Sequence, residues 1–154
     1  MIIGFGLAFW GLVQQNRELR ALIDSRPSQI PDLAVGDLIT PINLVAVHNA
    51  AIDFEEMISA GGVIAFLTTT CPICETSLPF WQDLSAELDG KAILFVGISL
   101  HSPNLTEQYI ETHGISWPVL AAPDPTPLLR LGVTGVPLTI AIKPGGEVPL
   151  LKHL

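Results

Sequence analysis

The feature that most constrains this chain is an apolar run followed at once by two closely spaced cysteines and a helical segment. Residues Val63–Leu67 are all apolar, which is typical of a strand buried on both faces of a sheet. A turn of threonines, Thr68–Thr70, then leads into Cys71-Pro72-Ile73-Cys74 and a helix that is expected to run to about Leu88. The segment therefore predicts a strand, a turn and a helix that begins at the first cysteine.

Cys71 and Cys74 are the only two cysteines in the sequence. A structural zinc site normally needs four Cys or His ligands at recognisable spacing, and two cysteines with four scattered histidines do not supply it. A disulfide scaffold normally needs several bridges, and a bridge between these two positions closes almost no loop. No metal site is expected, and structure alone gives a weak reason for the pair.

The position of Cys71 at a helix start favours its thiolate. Pro72 occupies the first helical position, where its missing N–H is harmless. The free N–H groups and the dipole at this end of a helix stabilise negative charge, and the thiolate is the nucleophile in thiol chemistry. Cys74 lies one turn inward on the same face and can attack a mixed disulfide formed at Cys71. The residues therefore predict thiol–disulfide exchange with Cys71 attacking and Cys74 resolving.

The rest of the chain alternates strand-like and helix-like segments. Strands are predicted at 38–47, 92–100, 138–142 and 148–151, and helices at 53–60, 105–113 and 126–131. The sequence Lys143-Pro144-Gly145-Gly146-Glu147 signals a hairpin turn between the last two strands, and Trp117-Pro118 is expected to introduce a short edge segment. Strands separated by helices predict an α/β fold with a central mixed sheet flanked by helices.

The first thirteen residues, Met1–Val13, carry no charged side chain and are expected to form an uncleaved N-terminal membrane anchor. Their helix would be about 20 Å long, and they lack the basic region and cleavage site of a signal peptide. An ordinary buried helix is the alternative. Residues 1–25 are predicted as the anchor and a polar helix extension, 26–35 as a linker and 36–154 as the folded domain.

The acidic composition excludes one large class of partner. The formal net charge is −8, the isoelectric point is near 4.7 and no cluster of Lys or Arg occurs. Because nucleic-acid binding needs a basic footprint, no nucleic-acid partner is expected. At 154 residues the chain is long enough for one domain with a core and too short for two.

Several segments resemble the thioredoxin-like redoxins, and in particular the membrane-anchored branch that includes TlpA, ResA and MauD. The matching segments are Gly62–Leu67, Thr70–Cys74, Leu78-Pro79 and Gly132–Pro137 followed by Leu138-Thr139-Ile140. The resemblance implies a thioredoxin-like fold, with the redox-active disulfide Cys71–Cys74 and no other cofactor. It also implies a cis peptide bond between Val136 and Pro137, which lies beside the cysteines and positions the substrate. Thr70, Pro72 and Ile73 would form the start of the active-site helix.

Three features depart from that family's pattern. ResA-like proteins often carry a glutamate three residues after the second cysteine, where this chain has Ser77. Thioredoxins usually have tryptophan before the first cysteine, where this chain has Thr70. The family's domain normally ends with a helix, and none is predicted after the last strand of this sequence.

The resemblance implies a protein thiol or disulfide substrate and a membrane or periplasmic redox partner. It implies an inner-membrane protein, held by residues 1–13 with its domain facing the periplasm, that serves maturation of a protein such as a cytochrome c or an amine dehydrogenase. One pattern opposes this orientation. Arg17, Arg20 and Arg26 follow the anchor, and the positive-inside rule would place that side in the cytoplasm.

Two alternative functions remain open on the sequence alone. One is a membrane-tethered assembly factor or binding module for a single partner, in which the disulfide is mainly structural. The other is a peroxiredoxin-like peroxidase, because Thr68-x-x-Cys71 fits the Thr-x-x-Cys of those enzymes. The proline expected upstream is absent, however, and Cys74 is too close for the usual resolving role. His101 could suggest copper delivery, but a solvated or capping histidine is expected.

Overall fold

The computed structural model describes residues 13, 14, 17, 31–48 and 53–154. The predicted anchor lies outside the described residues except for Val13, and so do most of the polar extension and the first part of the linker. Among the residues that are described, no helix is both long enough and apolar enough to cross a membrane. Residues 32–154 form a compact unit, and this unit holds both cysteines.

Strands and helices alternate through this unit, as the sequence pattern predicted. The strands are β1 (Val45–His48), β2 (Gly62–Leu67), β3 (Leu94–Ser99), β4 (Val119–Ala121), β5 (Leu138–Ile142) and β6 (Leu150–His153). The helices are α1 (Phe54–Ala60), α2 (Pro72–Asp89), α3 (Pro103–His113) and α4 (Thr126–Arg130).

The six strands form one sheet in the order β1-β4-β3-β2-β5-β6. Strands β2, β3 and β4 run parallel to one another, while β1, β5 and β6 each run antiparallel to their neighbours. This arrangement confirms the predicted α/β fold with a mixed sheet. The long, apolar β2 lies near the middle of the sheet, where both its faces are covered.

The alternation of side chains along β2 divides the core into two buried clusters. Ile64 and Phe66 point to one face and pack in a cluster that includes Met57 of α1 and Leu128 of α4. Ala65 and Leu67 point to the other face, in a cluster formed largely by residues of α2 and α3. Cys74 belongs to this second cluster, and the partly buried Cys71 packs against it.

Three sequence predictions about strands were wrong in part. The strand predicted at 38–47 is present only from Val45, because Pro41 has no backbone N–H to donate to a ladder. The last strand begins at Leu150 instead of residue 148, since Pro149 also has no backbone N–H to donate. The segment after Trp117-Pro118 is not at an edge, because β4 pairs with β3 on one side and with β1 on the other. The element that ends the described chain is β6.

Candidate active site

Cys71 is the N-cap residue of α2, and its side chain faces the first turn of that helix. Its backbone is extended, with φ −100° and ψ 107°, and Pro72 follows at the start of the helix. The backbone N–H of Cys74 donates to Cys71 Sγ at 3.2 Å. A sulfur that caps a helix in this way lies against the positive end of the helix dipole, where negative charge is stabilised.

The two cysteines differ sharply in exposure. Cys71 is half-buried, whereas Cys74 has no exposed surface, and both are free thiols. Burial raises the pKa of the Cys74 thiol to about 12, and its hydrogen bond with Cys71 adds to the shift. Cys74 is therefore a neutral, enclosed thiol near neutral pH, while Cys71 is open to a partner.

This difference predicts selective alkylation. Treating the reduced chain with iodoacetamide near neutral pH should modify Cys71 within minutes and leave Cys74 essentially unmodified. Because the pKa of Cys74 is raised to about 12, its modification should accelerate only as the pH rises toward that value. Peptide mapping by mass spectrometry measures both sites in one sample, and equal labelling at neutral pH would contradict this structure of the pair.

The peptide bond between Val136 and Pro137 is cis, as the resemblance implied. Cys71 Sγ lies 4.0 Å from the carbonyl oxygen of Val136, although 65 positions separate the two residues in the sequence. The sheet explains this proximity, because Phe66 near the end of β2 pairs with Leu138 at the start of β5. The turn before Cys71 and the loop that ends at Pro137 therefore leave the sheet at the same edge.

The three other residues predicted at this site are all exposed. Thr70 and Pro72 flank Cys71, and Ile73 is 57% exposed although its side chain is apolar. Ser77 stands where the resemblance expects a glutamate, and its hydroxyl donates to the carbonyl oxygen of Ile73 at 2.9 Å. Ile73 therefore adds an exposed apolar side chain to the surface next to Cys71.

His101 makes a contact that the sequence did not predict. The backbone N–H of Thr69 donates to His101 Nδ1 at 3.3 Å, and Thr69 Oγ1 lies 2.6 Å from the same nitrogen. The residue follows β3, whose parallel pairing with β2 matches Ser99 to Leu67 and so brings the two loops together. The sequence predicted a solvated or capping histidine at this position. In the structure, the contact of His101 with Thr69 fixes the turn before Cys71.

The copper alternative for His101 finds no support in the described part of the chain. No group of three or more His, Cys, Asp or Glu side chains lies close enough there to hold a metal ion.

Removing the His101 ring should loosen this turn. His101→Ala leaves the Thr69 N–H without its acceptor, and the free energy of unfolding should fall by about 1 kcal/mol. His101→Asn offers an oxygen near the position of Nδ1 and should restore most of that loss. Urea unfolding of the three proteins measures the effect, and an alanine variant as stable as the wild type would show that the link contributes nothing.

Comparison with known proteins places this site in a family. The model of the AhpC/TSA family matches residues 35–149. The thiol-disulfide oxidoreductase ResA of Halalkalibacterium halodurans is 26% identical over 99 residues, which are 64% of this chain and 56% of that protein. ResA of Oceanobacillus iheyensis is 27% identical over 103 residues, or 66% of this chain and 54% of that protein. The chain thus spans about half the length of these relatives.

A solved structure shows the same fold. The thioredoxin domain of a thiol-disulfide oxidoreductase from Bacteroides vulgatus superposes with a TM-score of 0.68 at 17% identity. The match covers 79% of this chain and 89% of that domain. The chain therefore has the thioredoxin-like fold of that domain. Because the family match runs from before β1 to the loop before β6, the chain belongs to the AhpC/TSA family.

Proposed function

We propose that this chain is a thiol–disulfide oxidoreductase that exchanges disulfides with a protein partner through Cys71 and Cys74. The observation that carries the proposal is the pairing of an open thiol with a buried one at a single helix start. Cys71 caps α2 where a partner can reach it, and Cys74 is held directly behind it with no exposed surface. The relatives named ResA support the same activity.

The reaction has two steps that together move two electrons. The Cys71 thiolate attacks a disulfide of the partner, which forms a Cys71–partner disulfide and releases one partner sulfur as a thiolate. The Cys74 thiolate then attacks Cys71 Sγ, which forms the Cys71–Cys74 disulfide and releases the second partner sulfur. The partner is reduced and the chain is oxidised, and oxidation of a partner follows the same steps in reverse.

The surface around Cys71 supports a polypeptide substrate. The carbonyl of Val136 next to the cis Pro137 lies beside Cys71 Sγ, where its backbone would position an extended partner segment. Exposed Thr70, Pro72 and Ile73 would contact the residues on either side of the partner's cysteine. Val136 and Pro137 are thus assigned to positioning, and the sulfur chemistry is assigned to the two cysteines.

The proposal includes attachment to the inner membrane, with the thioredoxin-like domain at 36–154 facing the periplasm. The uncharged segment 1–13 would be the anchor, 14–25 its polar extension and 26–35 the linker. An oxidising compartment suits a chain whose two cysteines form an exchangeable pair. A redox partner there would restore the starting redox state of Cys71 and Cys74 between cycles. Alkaline phosphatase fused to the C-terminus tests the orientation, because this enzyme is active only in the periplasm. Phosphatase activity of the fusion supports the proposed orientation, and an expressed but inactive fusion opposes it.

The activity is tested by offering the reduced full chain two oxidants in separate reactions. A peptide disulfide should be reduced rapidly, whereas hydrogen peroxide should be consumed no faster than by a Cys71→Ser variant. Rapid peroxide consumption instead would favour a peroxidase. Equilibration with glutathione buffers should give a reduction potential above about −300 mV, since structural disulfides lie below that value. A more negative, unexchangeable bridge would indicate a binding module in which the disulfide is structural.

A further inference from the structure

A path of hydrogen bonds connects the turn before Cys71 to helix α3. The backbone N–H and the hydroxyl of Thr69 both lie within hydrogen-bond distance of His101 Nδ1, at 3.3 and 2.6 Å. The backbone N–H of His101 donates to Ser99 Oγ at 3.2 Å. Ser99 Oγ in turn lies 2.8 Å from the hydroxyl of Thr106 on α3. The path therefore runs from the turn, through the loop after β3, to α3.

The inner part of this path is buried and fully paired. Ser99 and Thr106 have no exposed surface. Thr106 Oγ1 also lies 2.9 Å from the carbonyl oxygen of Ser102 and 3.3 Å from that of His101. Removing one partner from such a buried network leaves another polar group unsatisfied, so the network resists displacement. The loop that carries the His101 ring is therefore held against both β3 and α3.

The contact between the His101 ring and the turn depends on one ring nitrogen. A backbone N–H can only donate, so Nδ1 accepts from Thr69 and the neutral ring carries its proton on Nε2. Only Thr70 separates Thr69 from Cys71 in the sequence. A turn that is released from this nitrogen would therefore move Thr70, which is exposed directly before the attacking cysteine.

The turn and α3 also form the walls of a cleft next to this position. The cleft has a volume of about 360 Å³ and is lined by Thr69 and Thr70 on the turn and by residues of α3, among them Leu105 and Gln108. The hydrogen-bond path joins the same two elements, because it begins at Thr69 and ends at Thr106. The path therefore sets the separation of the two walls.

The stabilisation of the Cys71 thiolate has a different origin. Cys71 Sγ accepts the backbone N–H of Cys74, which lies within the first turn of α2. The bonds of the path instead join Thr69 to the loop after β3 and that loop to α3. A change at His101 should therefore alter the surface that a partner chain meets, without altering how readily the sulfur reacts with a small molecule.

We propose that His101 is a positioning residue for the polypeptide partner. Its Nδ1 holds the turn at Thr69 and Thr70 at a fixed distance from α3, so that a partner segment bound along this surface presents its disulfide to Cys71. The role rests on the proposed thiol–disulfide exchange. His101 neither gives nor takes a proton in that reaction, and it acts only through Thr69.

The test compares two substrates that undergo the same chemistry. The reduced full chain is mixed with a peptide disulfide or with bis(2-hydroxyethyl) disulfide, which has no peptide backbone, and oxidation of the chain is followed by mass spectrometry after an acid quench. Misplacing a bound group by about 1 Å can lower a rate by up to about a hundredfold. In His101→Ala we expect the rate constant with the peptide to fall about tenfold and the rate constant with the small disulfide to stay unchanged.

Two amide substitutions are matched controls for the ring nitrogen. His101→Asn places an oxygen near the position of Nδ1 and should restore most of the rate with the peptide. His101→Gln carries the same amide one bond farther from the backbone, near the position of Nε2, and should restore little.

Three outcomes would overturn the role of His101. They are an unchanged rate with the peptide in His101→Ala, equal slowing with both disulfides, and equal rescue by asparagine and glutamine. A wild-type chain that oxidises with neither disulfide would instead contradict the proposed exchange itself.

Discussion

Replacing Cys71 with serine is expected to abolish disulfide exchange while leaving the fold intact. Removing an enzyme's nucleophile typically lowers the rate on the order of a thousandfold or more. Serine cannot replace the thiolate, because its hydroxyl is not ionised at neutral pH. The remaining Cys74 cannot take over the attack, since it has no exposed surface and the pKa of its thiol is raised to about 12.

The same substitution provides its own structural control. Cys71 Sγ accepts the backbone N–H of Cys74, and serine is among the best residues for this helix-capping position. The free energy of unfolding should therefore change little, while the rate of reduction of a peptide disulfide falls to background. Retained exchange in Cys71→Ser would exclude Cys71 as the attacking thiol, and a large loss of stability would show that an oxygen cannot replace the sulfur as the cap of α2.

Replacing Trp81 with alanine should destabilise the fold far more than Cys71→Ser or His101→Ala. Trp81 lies on α2, has no exposed surface, and donates from Nε1 to Thr139 Oγ1 at 2.9 Å. Truncating a buried tryptophan to alanine costs about 3–5 kcal/mol, which is a large part of the roughly 5–15 kcal/mol that stabilises a typical domain. Urea unfolding at 25 °C measures this loss.

The position of this hydrogen bond connects stability to the site. Trp81 belongs to the helix that begins at Cys71, and Thr139 lies two residues after Pro137 on β5. Their bond fixes the cysteine helix against the strand that follows the cis proline. Trp81→Phe retains most of the buried ring but loses the donor, so it should cost clearly less than alanine and still fold. If the phenylalanine variant is as stable as the wild type, the hydrogen bond does not anchor α2 to β5. If the alanine variant is as stable as the phenylalanine variant, the buried ring does not contribute to stability.

The local pattern predicted the central part of the site because it depends on neighbouring residues. An apolar run, a turn and a proline after the first cysteine are enough to place a strand and a helix start, and α2 begins at Pro72 as expected. The cis bond before Pro137 came from the family resemblance alone, since nothing in its own sequence distinguishes cis from trans. The predicted strand at 38–47 was too long because Pro41 interrupts its hydrogen bonding.

The contacts that surround the cysteines could not be predicted, because they depend on packing between distant segments. His101 reaches Thr69 only because β2 and β3 pair in parallel with a particular register. The helix at 105–113 was predicted, but its apolar spacing does not reveal that the hydroxyl of Tyr109 lacks a partner among the described residues. Such a signal depends on the hydrogen bonds of the folded chain, which no local pattern of residues contains.

Trapping the mixed disulfide tests the central claim most directly. A Cys74→Ser variant, reduced and then mixed with a peptide disulfide, should accumulate one covalent peptide adduct, which peptide mapping places on Cys71 and a reductant removes. The wild type should instead lose the mass of two hydrogen atoms and retain no adduct, because Cys74 resolves the intermediate. An adduct that persists equally in the wild type, or no adduct in Cys74→Ser, would contradict an attacking Cys71 and a resolving Cys74.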